Sequence, residues 1–274
     1  GITVGALPLT IKGIGVSSLG VLRNISGNNT WGGTITTETP VTRINSDAGT
    51  LTLNATNAIN SPTNIAVTFG GSGNITIPGT ITIGSAGFTK DGVGTLTLTN
   101  ANTYTGETMV SAGVLNLQNG SALGTSSLTT VANGASLQLQ GGITVGALPL
   151  KLNGTGISTT GVLRNISGNN TWSGTITASS AIRINSDADL LTLNASNTIT
   201  STNIGVTFAG SGNTLIDGTI TTGTGTLTKE GSGTLTLNAN NTYTGATTIT
   251  AGTILLGNNL RRYSTPCILV RAVI

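Results

Sequence analysis

The chain has 274 residues, enough to bury a sizeable core, yet only 3% are aromatic and 7% charged, while 41 are Gly. Leu, Ile and Val recur at alternate positions, a phasing that a disordered low-complexity chain does not need. The net charge of +3 belongs to the last stretch, with Arg261, Arg262 and Arg271. Residues 1–259 hold eight basic and eight acidic side chains and sum to zero, so no basic face for nucleic acid or anionic membrane is implied.

Strand-like runs follow one another at 2–4, 7–11, 20–24, 33–36, 50–53, 65–69, 75–77, 80–83, 95–99, 108–110, 114–117, 128–131 and 136–139. In TLTLT, Leu96 and Leu98 point one way and Thr95, Thr97 and Thr99 the other, the period of a strand with one buried face. Clusters of Gly, Asn and Ser separate the runs, as turns do. No amphipathic segment of helical period has useful length, so the chain is expected to be all-β with at most a helical turn. No run approaches the ~18 apolar residues of a membrane helix.

Internal repetition governs the organisation. GITVGALPL at 1–9 returns at 142–150, GVLRNISGNNTW at 20–31 returns at 161–172, and RINSDA at 43–48 returns at 183–188. Phe69 answers Phe208 and Tyr104 answers Tyr243. A unit of roughly 140 residues is therefore present twice, too large for one structural rung. Short strands at irregular spacings disfavour a sandwich or a propeller and fit a parallel β-helix, right-handed as parallel crossovers are. With coils of ~20 residues rising ~4.8 Å, about 12 or 13 coils are expected. The strand at Gly1 is expected to be an open edge, prone to end-to-end association.

Residues 1–259 form one repeat domain. The segment 260–274, LRRYSTPCILVRAVI, departs in composition and holds Cys267, the single Cys. It is expected to be a truncated or frame-shifted end, the alternative being a cap whose ILV run adds a strand. The chain starts at Gly1 in mid-pattern, without Met, and is expected to be a piece of a longer one. With one Cys there is no disulfide framework and no Cys-based metal site.

Nucleophilic and metal chemistry find little to work with. The chain has no His, which removes Ser–His–Asp, Cys–His and His-ligated zinc. S-x-x-K and P-loop patterns are missing. No catalytic, cofactor-binding or metal-binding residue is assigned, and no cofactor is expected. Asp187 and Asp189, two apart, would share a strand face about 6–7 Å apart, a spacing suited to acid/base work on a sugar. The first copy has Asp47 followed by Gly49, so the pair is not kept. Arg43 and Arg183 lie close by and point instead to ion pairing at a turn. The same cluster lacks calcium-loop spacing. The paired aromatics, Trp31 and Trp172 among them, are expected to stack in the core. Asn24 and Asn165 head Asn-x-Ser sites but are given no role.

The segment GVGTLTLTNANTYTGETMVSAGVLNL at 92–117, and its echo GSGTLTLNANNTYTGATTITAGTILL at 231–256, resemble the passenger-associated transport repeat, or autotransporter-associated β-strand repeat. The resemblance implies a β-helical passenger of a type V secreted protein, at the cell surface, in the outer membrane or outside a Gram-negative-type bacterium. It implies repeats that aid outer-membrane passage and folding, and it brings no catalytic residues. It also implies a β-barrel translocator elsewhere, since these residues cannot supply the ~10-residue strands and aromatic girdles of a barrel.

The expected function is therefore a structural and adhesive passenger fragment, not an enzyme. Its expected partners are host or neighbouring cell surfaces and further copies of itself, with no nucleic acid. Two alternatives stand beside it. Outward Thr pairs, Thr50/Thr52, Thr80/Thr82 and Thr95/Thr97, suit a flat-lattice binder such as an ice-binding protein, although their sequence spacings are uneven. A carbohydrate-active enzyme would rest on Asp187.

Overall fold

The computed structural model describes residues 1–38, 41–257 and the backbone of 270–272. It is a parallel β-solenoid of about 11 turns with no α-helix among the described residues. Two compact units divide it, Gly1–Thr130 and Val131–Ile274.

In the first unit the rungs contribute strands to three sheets. The first sheet runs Thr3–Val4, Asn29–Trp31, Thr50–Leu53, Asn74–Ile77, Thr95–Leu98 and Gly113–Leu117. The second holds Leu9–Ile11, Ile35–Thr37, Asn57–Asn60 and Thr80–Thr82. The third holds Leu22–Asn24, Val41–Ser46, Ala66–Gly70, Phe88–Lys90 and Thr108–Val110. In the first sheet Thr3, Thr30, Thr52, Thr76, Thr97 and Asn116 stand in one register line. Successive members are 27, 22, 24, 21 and 19 residues apart. Rungs longer than the expected 20 residues account for the smaller number of turns. The surplus sits in corners, so the strands keep their phase.

The second unit repeats the plan. One sheet is Thr144–Val145, Asn170–Trp172, Leu190–Leu193, Asn213–Ile216, Thr234–Leu237 and Thr253–Leu256. Another is Leu150–Leu152, Ile176–Ala178, Asn197–Thr200 and Thr219–Thr221. The third runs Ala135–Gln140, Leu163–Ser167, Ile182–Ser186, Val206–Ala209, Leu227–Lys229, Thr247–Ile249 and Val270–Ala272. The last of these strands is the one described part of the segment 260–274, and it pairs in parallel with Thr247–Ile249. Cys267 lies outside the described residues.

Period-two alternation puts Leu51, Ile75, Leu96 and Leu115 into one inward line, each 5% exposed or less. Burying such a side chain contributes roughly 1.5–3 kcal/mol, and these four rungs each supply one. Aromatics thread the first unit. Phe69 meets Phe88 edge-on at 5.6 Å, and Phe88 meets Tyr104 at 5.4 Å. Tyr104 is fully buried, so its hydroxyl needs a partner and finds Thr108 Oγ1 at 2.8 Å. Two 3₁₀ turns, Val16–Ser18 and Ile157–Thr159, are the helical pieces.

Candidate functional site

Charge is scarce, and the third sheet gathers most of it along one corner. In the first unit, alternation turns Arg23, Arg43 and Asn45 away from the inward line of Leu22, Ile44 and Phe69. Where the strands end, Asp47 and Asp91 open the corner. Arg23 donates to Asp47 through Nε at 2.5 Å. Asn45 donates to the other oxygen of Asp47 at 2.6 Å and accepts from Arg43 Nη2 at 3.2 Å. Arg43 then grips Asp91 with both nitrogens, at 2.6 and 2.8 Å. Arg43 and Asp91 lie 48 residues apart, two rungs, so the guanidinium reaches past the strand Ala66–Gly70.

Gly70 leaves room for this reach. A Cβ there would come within 3.0 Å of Arg43 Nη2, Asp91 Oδ1 and Asn45 Oδ1. The second unit solves the same problem differently. Ala209 stands in register with Asn185, where Gly70 faces Asn45, and the acid is one methylene longer: Arg183 Nη1 meets Glu230 Oε2 at 2.5 Å. Arg164 and Asn185 hold Asp187, at 2.6 and 2.5 Å. The Arg23 hydrogen bond, the largest influence, keeps the Asp47 carboxyl below the usual carboxylate range against the opposing effect of desolvation.

Behind each acid lies a buried lysine. Lys90 occupies the inward line of Phe69 and Val110 and is 2% exposed. Its Nζ donates to the main-chain oxygens of Asp91 and Gly92 at 2.8 Å and of Ala112 at 3.2 Å. Three carbonyls match the three protons of an ammonium. Burial still dominates and pulls its pKa down to about 8. Lys229 repeats the contact with Glu230 and Gly231 oxygens at 2.6 and 2.8 Å, and burial lowers its pKa too. Deeper in the corner, Asn24 and Asn165 spend their amides on Ser46 and Ser186 Oγ, each at 3.0 Å, and on the carbonyls of Ala48 and Ala188. Buried in this way, they are poor acceptors for modification.

Two sequence expectations change here. Asp47 and Asp187 do pair with arginines, but with Arg23 and Arg164 of the adjoining rung, not with Arg43 and Arg183. Those two reach a second acid, Asp91 or Glu230. Asp187 and Asp189 do not share a strand face. The strand ends at Ser186, and Asp189 takes a left-handed φ of 59°, where the first copy has Gly49 at 70°. Its carboxylate accepts the N–H of Gly168 at 2.6 Å. Each of the two acids is thus engaged by its own partner rather than poised opposite the other. Among the described residues no group of three or more His, Cys, Asp or Glu is placed to hold a metal.

Lys90 and Lys229 escape the sequence reading because no strand is expected at 88–90, where the structure has Phe88–Lys90. The available signal was phase, since Lys90 is two residues from the apolar Phe88. Of the paired aromatics, Phe69, Phe208, Tyr104 and Trp172 lie in the core as expected, whereas Trp31 and Tyr243 are only half-buried.

The threonine faces also come into line. Thr80 and Thr82 belong to the second sheet and not to the face of Thr50, Thr52, Thr95 and Thr97. On that face uneven sequence spacing becomes even spatial register, as Thr30, Thr52, Thr76 and Thr97 show. In the second unit Thr177, Thr200 and Thr221 stand in register, with hydroxyl contacts of 3.5 Å between Thr177 and Thr200 and 3.2 Å between Thr242 and Thr221.

The passenger-associated-transport-repeat family matches the chain twice, at residues 88–117 and 227–256. Each match opens on the strand that carries the buried lysine, Phe88–Lys90 or Leu227–Lys229, and closes on a strand of the following rung, whose leucines are buried in the first copy (Leu115, Leu117) and exposed in the second (Leu255, Leu256). No curated protein and no solved structure matches the chain.

Proposed function

We propose that this chain is a structural and adhesive passenger segment of a type V secreted bacterial surface protein, acting without catalysis. The observation that carries the reading is the placement of the two matched repeats. Both fall on solenoid rungs of the same build, with register steps of 21 and 19 residues on one face in each copy. A repeat that only decorated the surface would not need to supply core leucines, a buried lysine and the acid of a two-rung ion pair. The proposed role of these rungs is to help the passenger cross the outer membrane and stack once outside. The rest of the solenoid then offers long Thr/Asn faces to a host or neighbouring cell. The ion pairs at Asp187 and the separate contact of Asp189 weigh against glycan cleavage there.

The chain fused ahead of a translocator barrel in Gram-negative cells tests this. Excising 92–112 removes one rung and joins Asp91 to Gly113, at the corner where Gly92 stood. Excising 190–212 removes a rung outside the matched segments. The first deletion is expected to lower protease-accessible surface chain several-fold and the second to change it little. Equal losses would remove any special part for the matched rungs. Displaying cells that adhere no better than cells with the barrel alone would remove the adhesive part.

The register of Thr30, Thr52, Thr76 and Thr97 favours one further reading, a binder of a flat periodic lattice such as ice. Thermal hysteresis of the purified chain near the freezing point supports it, and its absence ends it.

A further inference from the structure

The duplication places one sequence in two surroundings. GITVGALPL and GVLRNISGNNTW occur once at 1–31 and once at 142–172. In the second setting Ile143 is 8% exposed, and Leu150, Val162, Leu163, Asn170 and Trp172 are buried. In the first, Ile2 is 69% and Val21 38% exposed, and Leu9, Leu22, Asn29 and Trp31 are half-buried. Identical residues cannot differ in intrinsic preference. What differs is the cover.

The second unit shows what the cover is. The strand Ala135–Gln140 lies in parallel register on Leu163–Ser167, with Leu137 on Leu163 and Leu139 on Asn165. Ser136 Oγ donates to Gly161 O at 2.9 Å, and Leu137 N to Val162 O at 2.8 Å. Just before it, Val131 O accepts from Asn153 N at 3.0 Å. The chain then passes through Gly141 into the repeated sequence. In the first unit the half-buried Leu22 opens the strand that ends its sheet, and the matching acceptors, Gly20 O and Val21 O, lie just before it.

We propose that the face formed by Leu9–Ile11 and Leu22–Asn24 is a docking surface for one further parallel rung, joined in cis ahead of Gly1. The strand of that rung over Leu22–Asn24 carries the small–Ser–Leu–polar–Leu alternation of Ala135–Gln140. The specificity is local. A hydroxyl is needed opposite Gly20 O, and leucines opposite Leu22 and Asn24. Between the leucines a neutral polar residue stands beside Arg23, as Gln138 stands beside Arg164.

The test grafts a copy of residues 113–141 ahead of Gly1, which recreates the Gly141–Gly142 junction. A second graft carries Leu137→Asp and Leu139→Asp in the grafted copy. Amide exchange at 22–24 is followed in both chains and in the ungrafted chain. Acrylamide quenching of Trp31 is followed in a Trp172→Phe background. With the native graft, exchange at 22–24 is expected to slow at least tenfold and quenching of Trp31 to fall toward that of Trp172. The Asp graft should do neither. The same peptide, 113–141, is also added in trans to the ungrafted chain, so that a failure of the fusion to fold leaves a second readout; protection in trans that the Asp peptide does not give supports the surface. If native graft and native peptide both leave 22–24 unprotected, or if the Asp versions protect equally, the proposal is wrong.

Discussion

Gly70 is small because an ion pair passes over it. The first copy combines Gly70 with the short acid Asp91 and a two-nitrogen grip, while the second combines Ala209 with the longer Glu230. If the two positions are coupled, Gly70→Ala alone pushes a methyl into the space of flexible side-chain ends. The backbone can stay, but the grip on Asp91 weakens. The expected cost is about 1 kcal/mol in a urea-unfolding midpoint, the scale of a partly exposed pair. Adding Asp91→Glu should return about half of that, because it recreates the second copy's solution. A neutral Gly70→Ala, or a double variant worse than the single, would show that the glycine serves another purpose.

A rung is only as firm as its neighbours. Leu96 and Leu235 are equivalent residues of the matched repeats, both fully buried. Leu96 lies between Ile75 and Leu115, two buried aliphatics. Leu235 lies between Thr214 and the half-buried Ile254. Truncating Leu96 therefore opens a cavity with apolar walls on both sides and is expected to cost about 2–4 kcal/mol. Leu235→Ala should cost about 1 kcal/mol less, since less apolar contact is lost. Equal losses in denaturant unfolding would mean that neighbouring rungs do not set the worth of a core leucine. The leucine alternation was legible in the sequence for the same reason that it is strong: Thr50–Leu53 and Thr108–Val110 have the bounds that pattern alone predicts. Strands with polar inward residues were not legible. Asn29–Trp31, Val41–Ser46 and Phe88–Lys90 hide their phase because Asn29, Thr42, Ser46 and Lys90 stand at inward positions, and Asn57–Asn60 hides it because two adjacent residues, Ala58 and Ile59, are buried. Ion-pair partners were hidden too, since a contact over 48 residues depends on rung length and not on local spacing.

At the scale of the molecule, ten of the sixteen charged residues in 1–259 sit on the two corner lines, and the lysines among them are the ones whose titration matters most for stability. The folded pKa of Lys90 is about 8, against an ordinary 10.5, and Lys229 is lowered as well. Between those values the unfolded chain holds protons that the folded chain has released, so stability rises with pH there. Tyr104 and Tyr243 act in the opposite sense. Burial raises both phenols, so above pH 10, their ordinary value, the unfolded chain loses protons that the folded chain keeps, and stability falls. The two effects leave a maximum near pH 10. From pH 8 to that maximum the gain is expected to be about 2 kcal/mol, most of it from Lys90. Lys90→Met should flatten the rise and leave the fall above pH 10 in place, because the tyrosines are untouched. Denaturant midpoints at unit steps from pH 7 to 11 measure both limbs. A stability that stays flat from pH 8 to 10 would mean that the three carbonyls around Lys90 hold its ammonium at least as firmly as burial opposes it. The lysine would then stabilise the rung as a cation, with charge and corner carbonyls closing the stack together.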